Sequence, residues 1–242
     1  MNYVFFVAPY AASEYEQKVF KSVEKMAEEY DIPYLNLIDK SAELELDSSR
    51  DFIGWMHTNY YGASKTTDYM AAYLKENYAL DDHRGDGAYV LWDEDLQVRQ
   101  KEVNSHIKRD TDIYDYLATL SVVGDYTMVI TTEGEYLADG FDLMPQLSGL
   151  GIGEEFYEGP HVWVIRNGEI IFSSADMLWE KFDLNGRLLE VSRSEEMTSI
   201  FIDYDNYMKI LNGINVVVYD NVLGEVVDAV GFVASIGYGM AR

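Results

Sequence analysis

Two kinds of hydrophobic patterning divide the chain. Residues 3–9 (YVFFVAP) are apolar without alternation, the pattern of a strand covered on both faces. From Ser13 the period becomes helical: Val19, Val23, Met26 and Tyr30 recur along one face, and Ser13 and Glu16 have capping-box spacing. Residues 32–39 (IPYLNLID) return to a buried-strand pattern, and after a loop Ala63, Thr67, Met70, Leu74 and Tyr78 follow helical spacing. The order strand, helix, strand, loop, helix predicts a parallel α/β segment.

A Gly/Asp-rich loop at 79–89 leads to a charged helix over 93–109 and a short one over TDIYDYLATL. From Asp125 the pattern turns to strands. HVWVIRNGEIIFSS places two apolar runs around Asn167-Gly168, a strong hairpin signal, and FDLNGRLLEVS repeats it at Asn185-Gly186. INVVVYDNVLGEVVDAVGFVAS adds two more β-rich runs across a turn at 221–224. The expectation is an α+β chain in two parts: residues 1–110, an α/β segment with a helical connector, and residues 111–242, a mainly β, sandwich-like module.

Composition narrows the partners. Eighteen basic against 43 acidic residues give a formal charge of −25, which repels phosphate backbones and anionic lipid surfaces, so nucleic acid is not an expected partner. Cysteine is absent, which excludes disulfides and thiolate metal sites and fits a reducing compartment. No apolar run approaches the roughly 20 residues of a membrane span, and the N-terminus lacks a basic leader, so a cytoplasmic protein is expected. No metal or cofactor is expected either. DDHRGDG lacks calcium-loop spacing, GLGIG lacks the strand–helix setting of a dinucleotide fingerprint, and His106 and His161 are isolated in sequence.

The stretch HTNYYGASKTTDYMAAYL carries the chemistry of the first part. Its His57, Asn59, Gly62, Ala63, Lys65 and Thr66 make it resemble the end of an SGNH (GDSL-like) hydrolase domain, including relatives that transfer acyl groups onto cell-envelope polymers. The likeness covers roughly residues 3–80. It implies that His57 stands at the position of the catalytic base. The position three residues earlier, where the family has its acid, is Gly54, which has no side chain to orient an imidazole; Asp51 is the nearby substitute acid. The family's Gly-Asp-Ser nucleophile block does not precede the histidine. Ser13 reads as a helix cap and Ser22 lies within that helix, so a complete serine-hydrolase cycle is not expected of this chain. The plainer reading of His57 is a hydrogen-bonding residue at a helix start.

In the second part, DYTMVITTEG, HVWVIRNGEIIF, GINVVVYD and GEVVDAVGF resemble the domain of interleukin-like EMT inducers, relatives of which are appended to bacterial polysaccharide-biosynthesis proteins. That likeness implies non-catalytic recognition of carbohydrate. Sugars are held by aromatic faces and polar groups, and Trp163, Tyr157 and Tyr126 are the leading candidates, with His161, Tyr204 and Tyr207 behind them. The expected role is an accessory protein of cell-envelope polysaccharide modification that recognises a glycan. Two alternatives stand beside it: an esterase or O-acyltransferase whose nucleophile lies on another chain or in a missing half, and a protein-interaction module. In the last, residues 3–9 form a docking edge, and a protein partner or second copy completes the N-terminal sheet.

Overall fold

The Ser13 hydroxyl accepts from the Glu16 N–H at 3.3 Å while the Glu16 carboxylate accepts from the Ser13 N–H at 2.8 Å. This reciprocal cap starts helix α1 (Glu14–Glu29) where its spacing predicts. The computed structural model describes residues 3–48, 51–53, 57–83, 85–195 and 197–242. They form an α+β chain of two compact units, Met1–Asp82 and His83–Arg242.

In the first unit, strands β1 (Phe5–Val7) and β2 (Tyr34–Asn36) pair in parallel with Phe6 opposite Leu35, and α1 is the crossover between them. Helix α1 packs on β2 and buries Ala27. A small hairpin, β3 (Phe52–Ile53) and β4 (His57–Thr58), leads into helix α2 (Tyr60–Asn77). Among the described residues the parallel sheet ends after two strands. The expected cover on both faces of β1 is therefore missing: Phe5 is 45% and Phe6 49% exposed.

The second unit is layered. Helices α3 (Val90–Ile107) and α4 (Ile113–Leu120) precede strand β5 (Tyr126–Glu133), and α5 (Met144–Gly149) follows it. Strands β6 (Val162–Arg166), β7 (Glu169–Ser174), β8 (Leu178–Leu184), β9 (Arg187–Arg193), β10 (Thr198–Ile202) and β11 (Asp205–Asn206) come next. Strands β12 (Gly213–Asp220), β13 (Glu225–Val233) and β14 (Gly239–Ala241) close the chain. They make a six-stranded antiparallel sheet, β14-β13-β12-β5-β6-β7, and a four-stranded one, β11-β10-β9-β8. Val129, Val164, Val217 and Tyr219 of the larger sheet pack against Leu189, Val191, Ile200 and Ile202 of the smaller. On the other face of the larger sheet Tyr116 of α4 meets Phe232 edge-on at 5.6 Å.

The two Asn-Gly pairs turn as their sequence predicts. Asn167 and Gly168 have φ of 52° and 80°, Asn185 and Gly186 of 54° and 96°, the left-handed pair that suits the twist of a two-residue hairpin. Helix α3, expected as a connector of the first part, instead belongs to the second unit. Its Asn104 is buried, donates to the Asp220 carboxylate at 2.8 Å and accepts from the Tyr126 hydroxyl at 2.7 Å. Among the described residues no helix is long and apolar enough to cross a membrane.

Asn104→Leu removes a hydrogen-bond partner from each of Tyr126 and Asp220 inside the protein, which is expected to cost about 2–3 kcal/mol. Urea unfolding followed by circular dichroism checks this; Tyr126→Phe is expected to cost about 1 kcal/mol.

Candidate functional site

The hydrolase-like motif folds into a clasp. Asn59 caps α2, its side-chain oxygen accepting from the N–H groups of Tyr61 and Gly62 at 3.0 and 3.3 Å, while its own N–H donates to the Asp51 carbonyl at 2.9 Å. That brings the Asp51 backbone against Gly62, where a Cβ would lie 2.3 Å from the Asp51 oxygen, so the position demands glycine. One turn on, Lys65 donates to the fully buried Asp51 carboxylate at 2.7 Å and to the Glu45 carbonyl at 2.6 Å. Asp51 also accepts from the Asp47 N–H at 2.8 Å, and the Thr66 hydroxyl donates to the Gly62 carbonyl at 2.6 Å.

Asp51 is thus occupied in holding the loop to the helix. His57 lies in β4, opposite Ile53, and is exposed. Among the described residues no hydrogen bond or ion pair joins His57 to Asp51, so the two are not brought together as base and acid. Gly54 lies outside the described residues. The arrangement accounts for Asn59, Gly62, Lys65 and Thr66 as parts of a helix start, with no catalytic role required.

The three aromatic candidates of the second unit separate by burial. Trp163 is 0% exposed, stacked between His161 (4.3 Å) and Phe156 (6.1 Å), and Tyr126, 1% exposed, belongs to the Asn104 network. Neither offers a ring face to a ligand. Tyr157, at the end of a short 3-10 turn, is 39% exposed, and Tyr204 is exposed on the turn after β10.

Around Tyr157 the fold assembles a surface that the sequence does not announce. Tyr114, at the start of α4, stacks on Phe141 at 6.0 Å and 13°, and both are half-buried. Buried Tyr238 supports Phe141 edge-on at 5.2 Å. Between the rings sits Asp142, whose N–H donates to the Tyr114 hydroxyl at 3.2 Å. Its Oδ1 accepts from the Tyr157 hydroxyl at 3.3 Å and the Met144 N–H at 3.0 Å. Partial burial, then the Asp142 carboxylate beside it, raises the Tyr157 pKa and keeps that hydroxyl a donor. Partly exposed rings beside an oriented, exposed carboxylate are elements that suit a pyranose: C–H groups on the rings, hydroxyls on the acid. Tyr114, Phe141 and Asp142 lie far from Tyr157 in sequence and share no motif with it.

Next to this surface His161 is buried, its Nε2 2.7 Å from the Ser173 hydroxyl and its backbone N–H donating to Thr132. Burial lowers its pKa, opposed by Glu155 and Glu158 and assisted by Arg193. Among the described residues no cluster suited to a metal ion occurs. No family model, curated protein or solved structure matches the chain.

Lys65→Met leaves the buried Asp51 charge uncompensated and is expected to cost about 3–5 kcal/mol in urea unfolding. His57→Ala removes only an exposed side chain and should shift stability by less than about 0.5 kcal/mol. For His161 the sign follows from the lowered folded pKa: the unfolded chain takes the proton first, so its contribution is complete above the ordinary histidine value of about 6.5 and is lost as pH falls below it. Thermal melts from about pH 7.5 to 5.5, a window around that value, should show a smaller loss of Tm for His161→Gln than for the parent.

Proposed function

We propose that the protein is a non-catalytic, glycan-binding accessory of polysaccharide modification, with Tyr114, Phe141, Tyr157 and Asp142 as its sugar-binding surface. The observation that carries this reading is the pairing of accessible rings with an exposed carboxylate held in place by a tyrosine hydroxyl and a backbone amide. The resemblance of the second part to interleukin-like EMT inducer domains supports it. So does the segment around His57, where Asp51, the nearby candidate acid, is paired with Lys65. The acidic chain favours neutral or cationic glycans over phosphorylated or uronic ones.

The split-enzyme reading keeps one specific point, that His57 is exposed and so accessible to a serine on another chain. Calorimetric titration of the full chain with a panel of neutral and amino-sugar oligosaccharides tests the main proposal. Binding should weaken by about tenfold or more in Tyr157→Ala and in Asp142→Asn, a loss of about 1.4 kcal/mol, and stay unchanged in Tyr204→Ala. Absence of binding across the panel, or equal affinity in all variants, overturns it. Labelling of the chain by a serine-directed fluorophosphonate is expected to fail.

A further inference from the structure

Asp142 uses one of its two carboxylate oxygens. Oδ1 accepts from the Tyr157 hydroxyl at 3.3 Å and from the Met144 N–H at 3.0 Å, and among the described residues no hydrogen bond within the protein reaches Oδ2. A second carboxylate stands nearby. Glu154 opens the 3-10 turn that Tyr157 ends, and residues three apart eclipse one another in such a turn, so the exposed Glu154 side chain shares a face with the Tyr157 ring. After burial and Asp142, the Glu154 charge is a further cause of the raised Tyr157 pKa.

Among the described residues neither acid has an ion-pair partner. Asp228 offers a direct comparison. The Tyr116 hydroxyl donates to it at 3.3 Å, as Tyr157 does to Asp142, and there Arg242 supplies the opposite charge at 3.0 Å. The Asp142 site has the same tyrosine–carboxylate bond without a cation of its own, and it adds the rings of Tyr114, Phe141 and Tyr157. An ammonium group answers both features: it is drawn to aromatic faces and donates three N–H bonds to carboxylate oxygens. A hydroxyl bonds the acid but leaves its charge unmatched. A metal ion needs a fuller shell of ligands, and no cluster suited to one occurs among the described residues.

Resting on the reading of this surface as a sugar site, we propose that its ligand is a saccharide bearing a free amine. The ammonium pairs with Asp142 and Glu154 while a C–H face of the sugar lies on the rings. An N-acetylated or unsubstituted sugar keeps the stacking and loses the ion pair. The formal charge of −25 adds attraction at longer range for such a cation.

Calorimetric titration of the full chain with a glucosamine tetramer and with its fully N-acetylated counterpart tests this. An exposed ion pair together with a cation–π contact should give the amine form roughly a tenfold lower Kd. That advantage should shrink between about 0.1 and 1 M salt, as the screening length falls from ~10 to ~3 Å. Asp142→Asn and Glu154→Gln, both at exposed positions, should each reduce the ratio. Glu225→Gln removes the same charge from an exposed position on β13 and should leave it unchanged. Equal or tighter binding of the N-acetylated tetramer overturns the proposal and leaves the glycan reading standing. So does an advantage that survives in both Asp142→Asn and Glu154→Gln, since the acidic chain as a whole then supplies it. Failure of both tetramers and of every neutral sugar to bind overturns the glycan reading and this proposal with it.

Discussion

All eight residues of Gly213–Asp220 are buried, and that single strand dictates the architecture of the second unit. An antiparallel strand commonly leaves one face to water. This one cannot, since Val217 and Tyr219 face one side while Val216 and Val218 face the other, all of them out of solvent. One side is covered by the four-stranded sheet, the other by helices α3 and α4. The helices are held to it by polar bonds as well as by packing: Asn104 to Asp220, the Tyr116 hydroxyl to Asp228 at 3.3 Å, and Arg242 to Asp228 and the carbonyls of Ile107 and Asp110. Strand β1 of the first unit is apolar too, and among the described residues only β2 pairs with it.

The clasp at α2 shows how a sequence motif can be satisfied by folding alone. Each of its residues answers a local requirement: Asn59 the unpaired N–H groups of the first turn, Gly62 the contact with the Asp51 backbone, and Lys65 the charge of the buried carboxylate. Burying Asp51 is costly without its partner, and that cost ties the loop to the helix. A carboxylate engaged in this way does not orient His57, so the hydrolase-like spacing serves as architecture.

Periodicity and turn chemistry made much of this fold readable. The capping box at Ser13 and Glu16, the Asn-Gly turns, the parallel pairing of the first two strands and the β-rich second half all rest on local rules, which hold wherever the chain lies. Tertiary assembly was less readable. Trp163 and Tyr126 have the chemistry of sugar contacts but sit in strands covered on both sides, whereas Tyr157 lies in a short turn and is 39% exposed. The sequence alone does not distinguish these cases, because burial depends on which layer lands above a strand. Helix α3 misled in the opposite direction: Gln100 and Asn104 suggest a solvated face, yet both are buried, and they draw the helix into the second unit. Tyr114, Phe141 and Asp142 had no sequence signal, since the surface they form with Tyr157 exists only after three separate segments meet.

The distribution of charge limits what the surface can attract. With 18 cations against 43 anions, the protein places several of its basic groups in structural roles. Lys65 holds Asp51. Arg193 spans from Glu133 to the carbonyls of Pro160 and Ala175, and Arg187 pairs with Asp203 at 2.6 Å. Cations committed in this way do not attract anionic ligands, and the remaining surface repels them over roughly a Debye length, about 8 Å at physiological salt. Recognition by such a molecule is therefore confined to ligands that are not anionic. Rings beside a single oriented carboxylate, as proposed for Tyr114, Phe141, Tyr157 and Asp142, suit an uncharged or amine-bearing sugar. Contacts of that kind are short-range and survive the screening that weakens the repulsion around them.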